Sequence, residues 1–243
     1  MKNRALLEMS VETLDAAVAA VRGGSDRVEL CEDLSVGGMT PNLDLIKATR
    51  GRLHIPIFVM IRPRGGDFCY SPAEFRRMKE EIAQAKEAGM DGVVLGILTP
   101  EGRVDIERTG ELVCLARPLP ATFHRAFDGL ADLAQGLENV IATGATRVLT
   151  SGGMATADEG ASAIERLLEQ ARDRIVILPG GGIRPANLSK IVRATRAAEF
   201  HSGLSNLLRH PGSNHREFEA GVRDLIKVLE NESGRLATAN RET

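Results

Sequence analysis

Residues 175–201 read IVILPGGGIRPANLSKIVRATRAAEFH, and this stretch decides the fold. The short apolar run from Ile175 to Pro179 is typical of a buried strand bounded by glycine. A segment with apolar residues at helical spacing follows, and a second short run, Ala197 to His201, predicts another strand. Two strands joined through a helix are parallel, so the stretch predicts a strand–helix–strand unit.

The same alternation extends over the whole chain and predicts eight strands. The predicted strands are Ala5–Ser10, Arg27–Cys31, Pro56–Arg62, Gly92–Gly96, Pro120–Arg125, Thr146–Thr150, Ile175–Pro179 and Ala197–His201. Glycines stop the helices shortly before the next strand, whereas the loops after the strands are long and rich in glycine. Two start signals, Thr40-Pro41 and Ser71-Pro72, place a capping residue before a first-turn proline, and Glu74 would complete a capping box with Ser71.

This organisation favours the α/β class and a single (β/α)8 TIM barrel. A doubly wound open sheet is the structural alternative, because it also alternates strands and helices. We assign residues 1–230 to the barrel and expect 231–243, a polar segment rich in small residues, to be a flexible C-terminal tail.

Composition excludes several classes of function. The chain has 243 residues, a formal net charge of −2 and a pI near 6.2, which argues against a nucleic-acid partner. It contains no apolar run of about 18 residues, so we expect no membrane segment. The same charge balance favours a small-molecule partner. Three widely spaced cysteines suit free thiols, so we expect a cytoplasmic protein.

Side-chain parity along the strands points to one polar site. If the alternate apolar residues of each strand face the helices, the polar residues point into the barrel, where charges are tolerated mainly near the carboxyl-end mouth. The residues expected to converge there are Glu8, Glu29, Cys31, Arg62, His124, Glu199 and His201. As acid–base groups, Glu8, Glu29, His124 and Glu199 are the catalytic candidates. A polar network that only fixes the barrel is the alternative interpretation of these residues.

Loop residues suggest an anion site, and a thiol and two imidazoles suggest a metal site. Guanidinium groups and glycine backbone suit a carboxylate or phosphate, and the candidates are Arg62, Arg64, Gly180, Gly181, Gly182 and Gly203. Thiolate and imidazole suit Cu(I), and the metal candidates are Cys31, His124 and His201. Tight-turn glycines and a buried structural cysteine are the alternatives.

Several motifs in order closely resemble the CutC copper homeostasis family. They are VELC at 28–31, FVMIRPRGGDF at 58–68, TFHRAFD at 122–128, RVLTSG at 147–152, PGGGI at 179–183 and EFH at 199–201. The resemblance spans about Leu7 to Ser205 and implies a cytoplasmic barrel associated with copper homeostasis and Cu(I) binding, working as a homodimer or higher homo-oligomer. The family often has cysteine where this chain has Ser10, so the two-thiol copper site implied by the resemblance lacks one thiol here.

The primary interpretation is the copper-related function that the resemblance implies, and an enzymatic function is the alternative. The resemblance implies copper binding at the carboxyl-end mouth of the barrel. The polar residues alone favour a lyase, isomerase or hydrolase type of enzyme that acts on a small anionic or phosphorylated metabolite by Glu and His acid–base chemistry. The sequence leaves open whether the protein is an enzyme.

Overall fold

The computed structural model describes residues 4–204, 207 and 215–239, with side chains described up to 235. Strands and helices alternate as the sequence predicts. The strands are β1 Leu6–Val11, β2 Arg27–Leu30, β3 Ile57–Met60, β4 Gly92–Leu95, β5 Ala121–Phe123, β6 Arg147–Thr150, β7 Val176–Pro179 and β8 Glu199–Ser202. The helices are α1 Leu14–Gly23, α2 Leu43–Arg52, α3 Pro72–Glu87, α4 Ile106–Ala116, α5 Leu133–Ala142, α6 Ala161–Ala171, α7 Pro185–Thr195 and α8 His215–Ala239.

All eight strands belong to one parallel sheet. Its order is β7-β6-β5-β4-β3-β2-β1-β8, so the first strand pairs with both the second and the last. Strands β7 and β8 lie against each other and bring the two edges of the sheet together. The predicted (β/α)8 TIM barrel is confirmed, and the open doubly wound sheet is excluded.

The two faces of the strands bury different residues, as parity predicts. Leu7, Val28 and Phe200 belong to the main hydrophobic core between the strands and the helices. A second, smaller hydrophobic cluster is formed by Cys31, which directly follows β2, Phe58 and Met60 of β3, and Val94 of β4. A side chain at Gly92 would collide with the Phe58 ring at 2.6 Å, so this glycine makes room for the aromatic ring.

One predicted helix start is confirmed and the other is wrong. Ser71 and Glu74 form the expected capping box at the start of α3. Helix α2, in contrast, begins at Leu43 and is capped by Asn42 rather than by Thr40. The Thr40 hydroxyl is otherwise engaged, because it accepts a hydrogen bond from the backbone of Arg62 and donates one to Glu81.

The carboxyl-terminal segment differs from the expected flexible tail. Helix α8 continues to Ala239, and Glu232 within it is buried. The Glu232 carboxylate accepts hydrogen bonds from Ser189 and Arg193 of α7, which anchors this part of the polar segment. Residues 240–243 of the expected tail, and Ser205 at the end of the motif-bearing stretch, lie outside the described residues.

Across 4–204, 207 and 215–239, no helix combines the length and the apolar character needed to cross a membrane.

Candidate functional site

The amino ends of three strands carry a buried charge network. Glu199, the first residue of β8, accepts hydrogen bonds from Arg27 at 2.7 Å and from Arg147 at 2.8 Å. Both guanidinium groups lie over the Phe58 ring, at 4.8 and 5.2 Å from its centroid. Burial opposes ionisation, but the hydrogen bonds and charges of Arg147 and Arg27 hold the pKa of Glu199 below its usual value.

The expectation that Glu199 lies at the mouth is therefore wrong. Its inward direction is as predicted, but its position at the start of β8 puts it at the opposite end of the barrel. Parity determines the face of a strand on which a residue lies and gives no depth along the barrel axis. Sequence reasoning also missed Arg27 and Arg147, although Arg27 shares the parity of Glu29 and Cys31.

Glu8 lies one layer above this network and is fully buried. One carboxylate oxygen binds Nε of Arg27, and the other lies 2.8 Å from Nδ1 of His201. Burial alone would raise the pKa of Glu8, but the charge of Arg27 and the hydrogen bond of His201 lower it to about 2. Glu8 is therefore a permanent carboxylate with both oxygens engaged, which suits a structural role better than proton transfer.

Glu29 lies on the other side of the same imidazole. Its Oε2 atom is 3.8 Å from Nε2 of His201 and accepts a 3.5 Å hydrogen bond from the Cys31 thiol. Its Oε1 atom is buried and has no hydrogen-bond partner among the described residues. Burial raises the pKa of Glu29, so this carboxyl can exchange a proton more readily near neutral pH than an ordinary glutamate.

His201 connects the two carboxyl groups. Burial alone would lower its pKa, but the charge of Glu29 and the hydrogen bond and charge of Glu8 raise it. The imidazole therefore tends to be protonated, with the Nδ1–H donating to Glu8 and Nε2 lying 3.8 Å from Oε2 of Glu29. A charged ring held in this way is a poor metal ligand until a proton is lost.

Cys31 is buried beneath the mouth rather than in it. Burial, with the nearby charge of Glu29, raises the pKa of the thiol well above its ordinary value. A Cβ atom at Gly38 would lie 3.1 Å from the Cys31 sulfur and 3.5 Å from the methyl carbon of Met60, so both side chains pack beneath this loop. The environment stabilises a neutral thiol.

His124 follows β5 and begins the short 310 helix Arg125–Gly129. Its Nδ1 atom accepts a 3.2 Å hydrogen bond from the backbone N–H of Ala126, so the proton of the neutral ring must be on Nε2. That Nε2 atom is buried and lacks a partner within the described part of the chain. Burial and the charge of Arg62 lower the pKa of His124 to about 3, so the ring is a neutral hydrogen-bond donor.

The two arginines after β3 have different surroundings. Arg62 is buried and donates to the carbonyl oxygens of Val36, Gly38 and Gly66 at 2.7 to 2.9 Å, which ties two loops together at the mouth. Arg64 instead binds Asp67 and Glu74 near the start of α3. Arg62 therefore borders the site, whereas Arg64 is engaged away from it.

The glycine loops after β7 and β8 border the same region. Gly181 and Gly182 have positive φ angles of 99° and 67°, which favour glycine, and a Cβ at Gly181 would lie 3.2 Å from the Arg125 guanidinium. Arg125 is itself held by Asp128 and Ser151. The backbone at Gly181 thus lies close to the Arg125 guanidinium group.

These residues converge on a cavity of about 280 Å³ at the mouth of the barrel. Of the predicted site residues, those that line it are Glu29, Arg62, His124, His201, Gly181, Gly182 and Gly203. The predicted site residues that do not line the cavity in the described structure are Glu8, Cys31, Arg64, Gly180 and Glu199. The lining residues that sequence reasoning did not select for the site include Ser10, Arg125, Arg184 and Ser202. Arg125 directly follows His124, a predicted site residue, and Arg184 directly precedes the proline that begins α7. These sequence positions could have identified both arginines as site residues.

One group of side chains within the described residues has metal-ligand spacing. Glu8, Glu29 and His201 each offer a ligand atom, and these atoms lie within 4.8 Å of one another. Both oxygens of Glu8 already bind Arg27 and His201, so Glu29 and Nε2 of His201 are the more available donors. Carboxylate and imidazole favour a harder ion than Cu(I).

The fold and the cavity define a (β/α)8-barrel protein with carboxyl, imidazole and guanidinium groups at the carboxyl-end mouth. The model of the CutC family matches residues 5–206. The chain therefore belongs to the CutC family.

Relatives of known name agree with this assignment. The human copper homeostasis protein cutC homolog is 49% identical over 199 residues, which cover 82% of this chain and 73% of that protein. The mouse protein of the same name is 44% identical over 238 residues, covering 93% of this chain and 88% of the relative. A structure from Streptococcus agalactiae that carries the CutC name has a TM-score of 0.77 and 37% identity, and the match covers 81% of this chain and 97% of that one.

More distant structures share the fold alone. Thiamine phosphate pyrophosphorylase from Pyrococcus furiosus is 13% identical with a TM-score of 0.63, and the match covers 95% of this chain and 97% of that one.

Proposed function

We propose that the mouth cavity binds a small anionic metabolite and carries out acid–base chemistry on it, with Glu29 as the proton carrier. The observation that carries the proposal is the buried, unpartnered Oε1 of Glu29 in the described structure, on a carboxyl whose pKa is raised and which lines the cavity. A buried polar atom without a partner is costly, and a ligand can supply the missing contact. His201, beside Glu29, is placed to stabilise its ionised form.

Arginine and glycine residues in the lining of the cavity favour an anionic ligand. Arg125 and Arg184 line it together with Gly181, Gly182 and Gly203. Arg184 is also the capping residue of α7, so the positive end of that helix dipole lies nearby. Guanidinium groups beside flexible backbone suit a phosphate or carboxylate group.

A thermal-stabilisation screen tests this proposal. The probes are inorganic phosphate and a panel of phosphorylated and carboxylated metabolites, since a ligand at about a hundred times its Kd stabilises by about 2.7 kcal/mol. For any ligand found, Arg184→Gln should weaken binding about tenfold or more, whereas Arg64→Gln, at an arginine away from the cavity, should not. Equal effects of the two substitutions, or a panel in which nothing stabilises the protein, would contradict the proposal.

Cu(I) binding is a second candidate, favoured by the packing of Cys31 against Met60 under Gly38 and by the names of the relatives. Thiolate and thioether sulfur are soft donors that suit Cu(I). A two-thiol site does not fit this chain, because Ser10 lies at the mouth and the Cys69 thiol donates to the carbonyl of Thr99. A one-thiol site would use Cys31, Met60 and His201. His124 fits less well, because its Nδ1 is engaged and its Nε2 carries the proton.

Anaerobic Cu(I) titration separates this candidate from the first. Cys31→Ala should weaken binding at least tenfold if the thiol ligates the metal, while Cys114→Ala, at an exposed position, serves as the matched control. Equal affinity of the wild type and Cys31→Ala would remove the copper site.

The proposal also includes a cytoplasmic location and a homo-oligomeric state. Free thiols at Cys31, Cys69 and Cys114 support work in the reducing cytoplasm. We expect a homodimer or higher homo-oligomer, and light scattering on the purified protein would show a single-chain mass of 26.1 kDa if that expectation is wrong.

A further inference from the structure

We propose that the reaction at this cavity is removal of a proton from the carbon next to a carbonyl group, with Glu29 as the base and neutral His124 as the donor to the enolate oxygen. The substrate class is a small carbonyl compound that also carries a phosphate or carboxylate group. This inference rests on the proposed acid–base function and specifies its chemistry.

Two polar atoms are left unsatisfied in the described part of this cavity. Oε1 of Glu29 can only accept when the carboxyl is ionised, and Nε2 of His124 can only donate while Nδ1 accepts from Ala126. Both residues are 3% exposed and both line the cavity. A ligand that satisfies both atoms must offer a hydrogen to one and an oxygen to the other.

The His124 ring is held in a single arrangement. Its tautomer is set by the Ala126 N–H, and one face packs against Phe68 at 4.8 Å between ring centroids. Gly96 leaves space for the ring, because a Cβ there would lie 2.7 Å from Nδ1. A fixed neutral N–H can stabilise developing negative charge on oxygen without giving up its proton.

The lining of the cavity does not favour other kinds of covalent chemistry. A Schiff-base mechanism needs a lysine, and the described lining of the cavity contains none. Thiolate attack is disfavoured because the Cys31 thiol lies beneath the cavity and donates to Glu29. Carboxyl and neutral imidazole remain as the reactive pair.

The step balances without any additional reactant. The C–H bond breaks, and its proton passes to Oε1 of Glu29. The electron pair forms a carbon–carbon double bond while the carbonyl π electrons move to oxygen, which accepts the hydrogen bond from Nε2 of His124. Return of the proton to the same carbon gives exchange. If that carbon also carries a hydroxyl group, delivery of the proton to the former carbonyl carbon, with the hydroxyl proton passing to the enolate oxygen, gives isomerisation to the new carbonyl compound.

Hydrogen exchange in D₂O tests the step directly. The probes are dihydroxyacetone phosphate and pyruvate, and the measurement is loss of the carbon-bound proton signal by NMR. We expect Glu29→Gln to lower the enzyme-dependent rate by about 10²- to 10⁴-fold and His124→Gln by about 10²- to 10³-fold. Cys114→Ala, on the exposed surface, should retain the wild-type rate. A wild-type rate no faster than that of Glu29→Gln with both probes would overturn the proposal.

A second measurement does not depend on turnover. Nitrogen-15 NMR of the histidine-labelled full chain, assigned by comparison with His124→Gln, should show His124 with its proton on Nε2. Phosphoglycolohydroxamate, an enolate analogue, should bind the wild type about tenfold or more tightly than His124→Gln. A proton on Nδ1, or equal affinities, would overturn the role of His124. Anion binding that depends on Arg184 without any exchange would leave the broader acid–base proposal in place and remove this one.

Discussion

Glu8 and Glu29 contact the same imidazole, yet their surroundings shift their acidity in opposite directions. Glu8 has a guanidinium and an imidazole on its two oxygens, and these outweigh burial to give a pKa of about 2. For Glu29 burial dominates and raises the pKa, since one oxygen receives only a weak thiol hydrogen bond and the other receives none in the described structure. The difference assigns a structural role to Glu8 and leaves Glu29 available for chemistry.

Glu8→Gln should therefore destabilise the protein strongly. Removing the carboxylate leaves Arg27 with Glu199 as its remaining acidic partner and takes the carboxylate away from Nδ1 of His201. One buried positive charge is then uncompensated, which costs about 3–5 kcal/mol for a broken buried pair. Urea denaturation measures the loss, and Glu29→Gln is the matched control because its carboxyl holds no guanidinium. Similar losses for the two variants would show that the Glu8 network does not stabilise the fold.

His124 should make stability depend on pH. Its pKa is lowered from 6.5 to about 3, so the unfolded chain binds the proton more readily than the folded protein. This contribution to stability is complete above the ordinary value of 6.5 and declines as the pH falls towards 3. His124→Gln should flatten the fall in the free energy of unfolding between about pH 6 and about pH 4. Denaturation curves at several pH values test this, with the exposed His54→Gln expected to keep the wild-type slope.

At the scale of single elements, strand parity was the most informative sequence signal. It correctly separated Leu7, Val28 and Phe200, which face the helices, from Glu29, Met60 and His201, which point inward. It failed on depth, because β8 begins at Glu199 and so places this residue with Arg27 and Arg147. Contacts between strands far apart in sequence depend on the register of the closed sheet, which no local pattern specifies.

Helix α8 provides a prediction at the same scale. Glu232 is buried against α7 and accepts from Ser189 and Arg193, so Glu232→Ala should cost about 1–3 kcal/mol by removing these hydrogen bonds between the two helices. Glu230→Ala, on the exposed side of the same helix, should have little effect. Thermal unfolding of the two variants gives the comparison, and equal Tm values would mean that the end of α8 does not stabilise the barrel.

For the whole molecule, the sequence predicted the barrel and the end at which the polar cavity lies, but not the division of its interior into two polar levels. The lower level consists of arginine–glutamate pairs that neutralise each other around Phe58. The upper level retains unsatisfied groups, including Oε1 of Glu29 and Nε2 of His124, within the described structure. Which groups are satisfied depends on three-dimensional partners such as the Ala126 N–H, so this distinction could be made only from coordinates.

The contact between Glu8 and His201 joins residues 193 positions apart, near the two ends of the barrel sequence. During synthesis on a ribosome, β1 must wait for β8 before its carboxylate gains this neighbour. A growing chain that collapsed early would enclose Glu8 with Arg27 but without the imidazole, which leaves one buried carboxylate oxygen without its partner. Glu8 thus gains its full set of partners only when the last strand is in place.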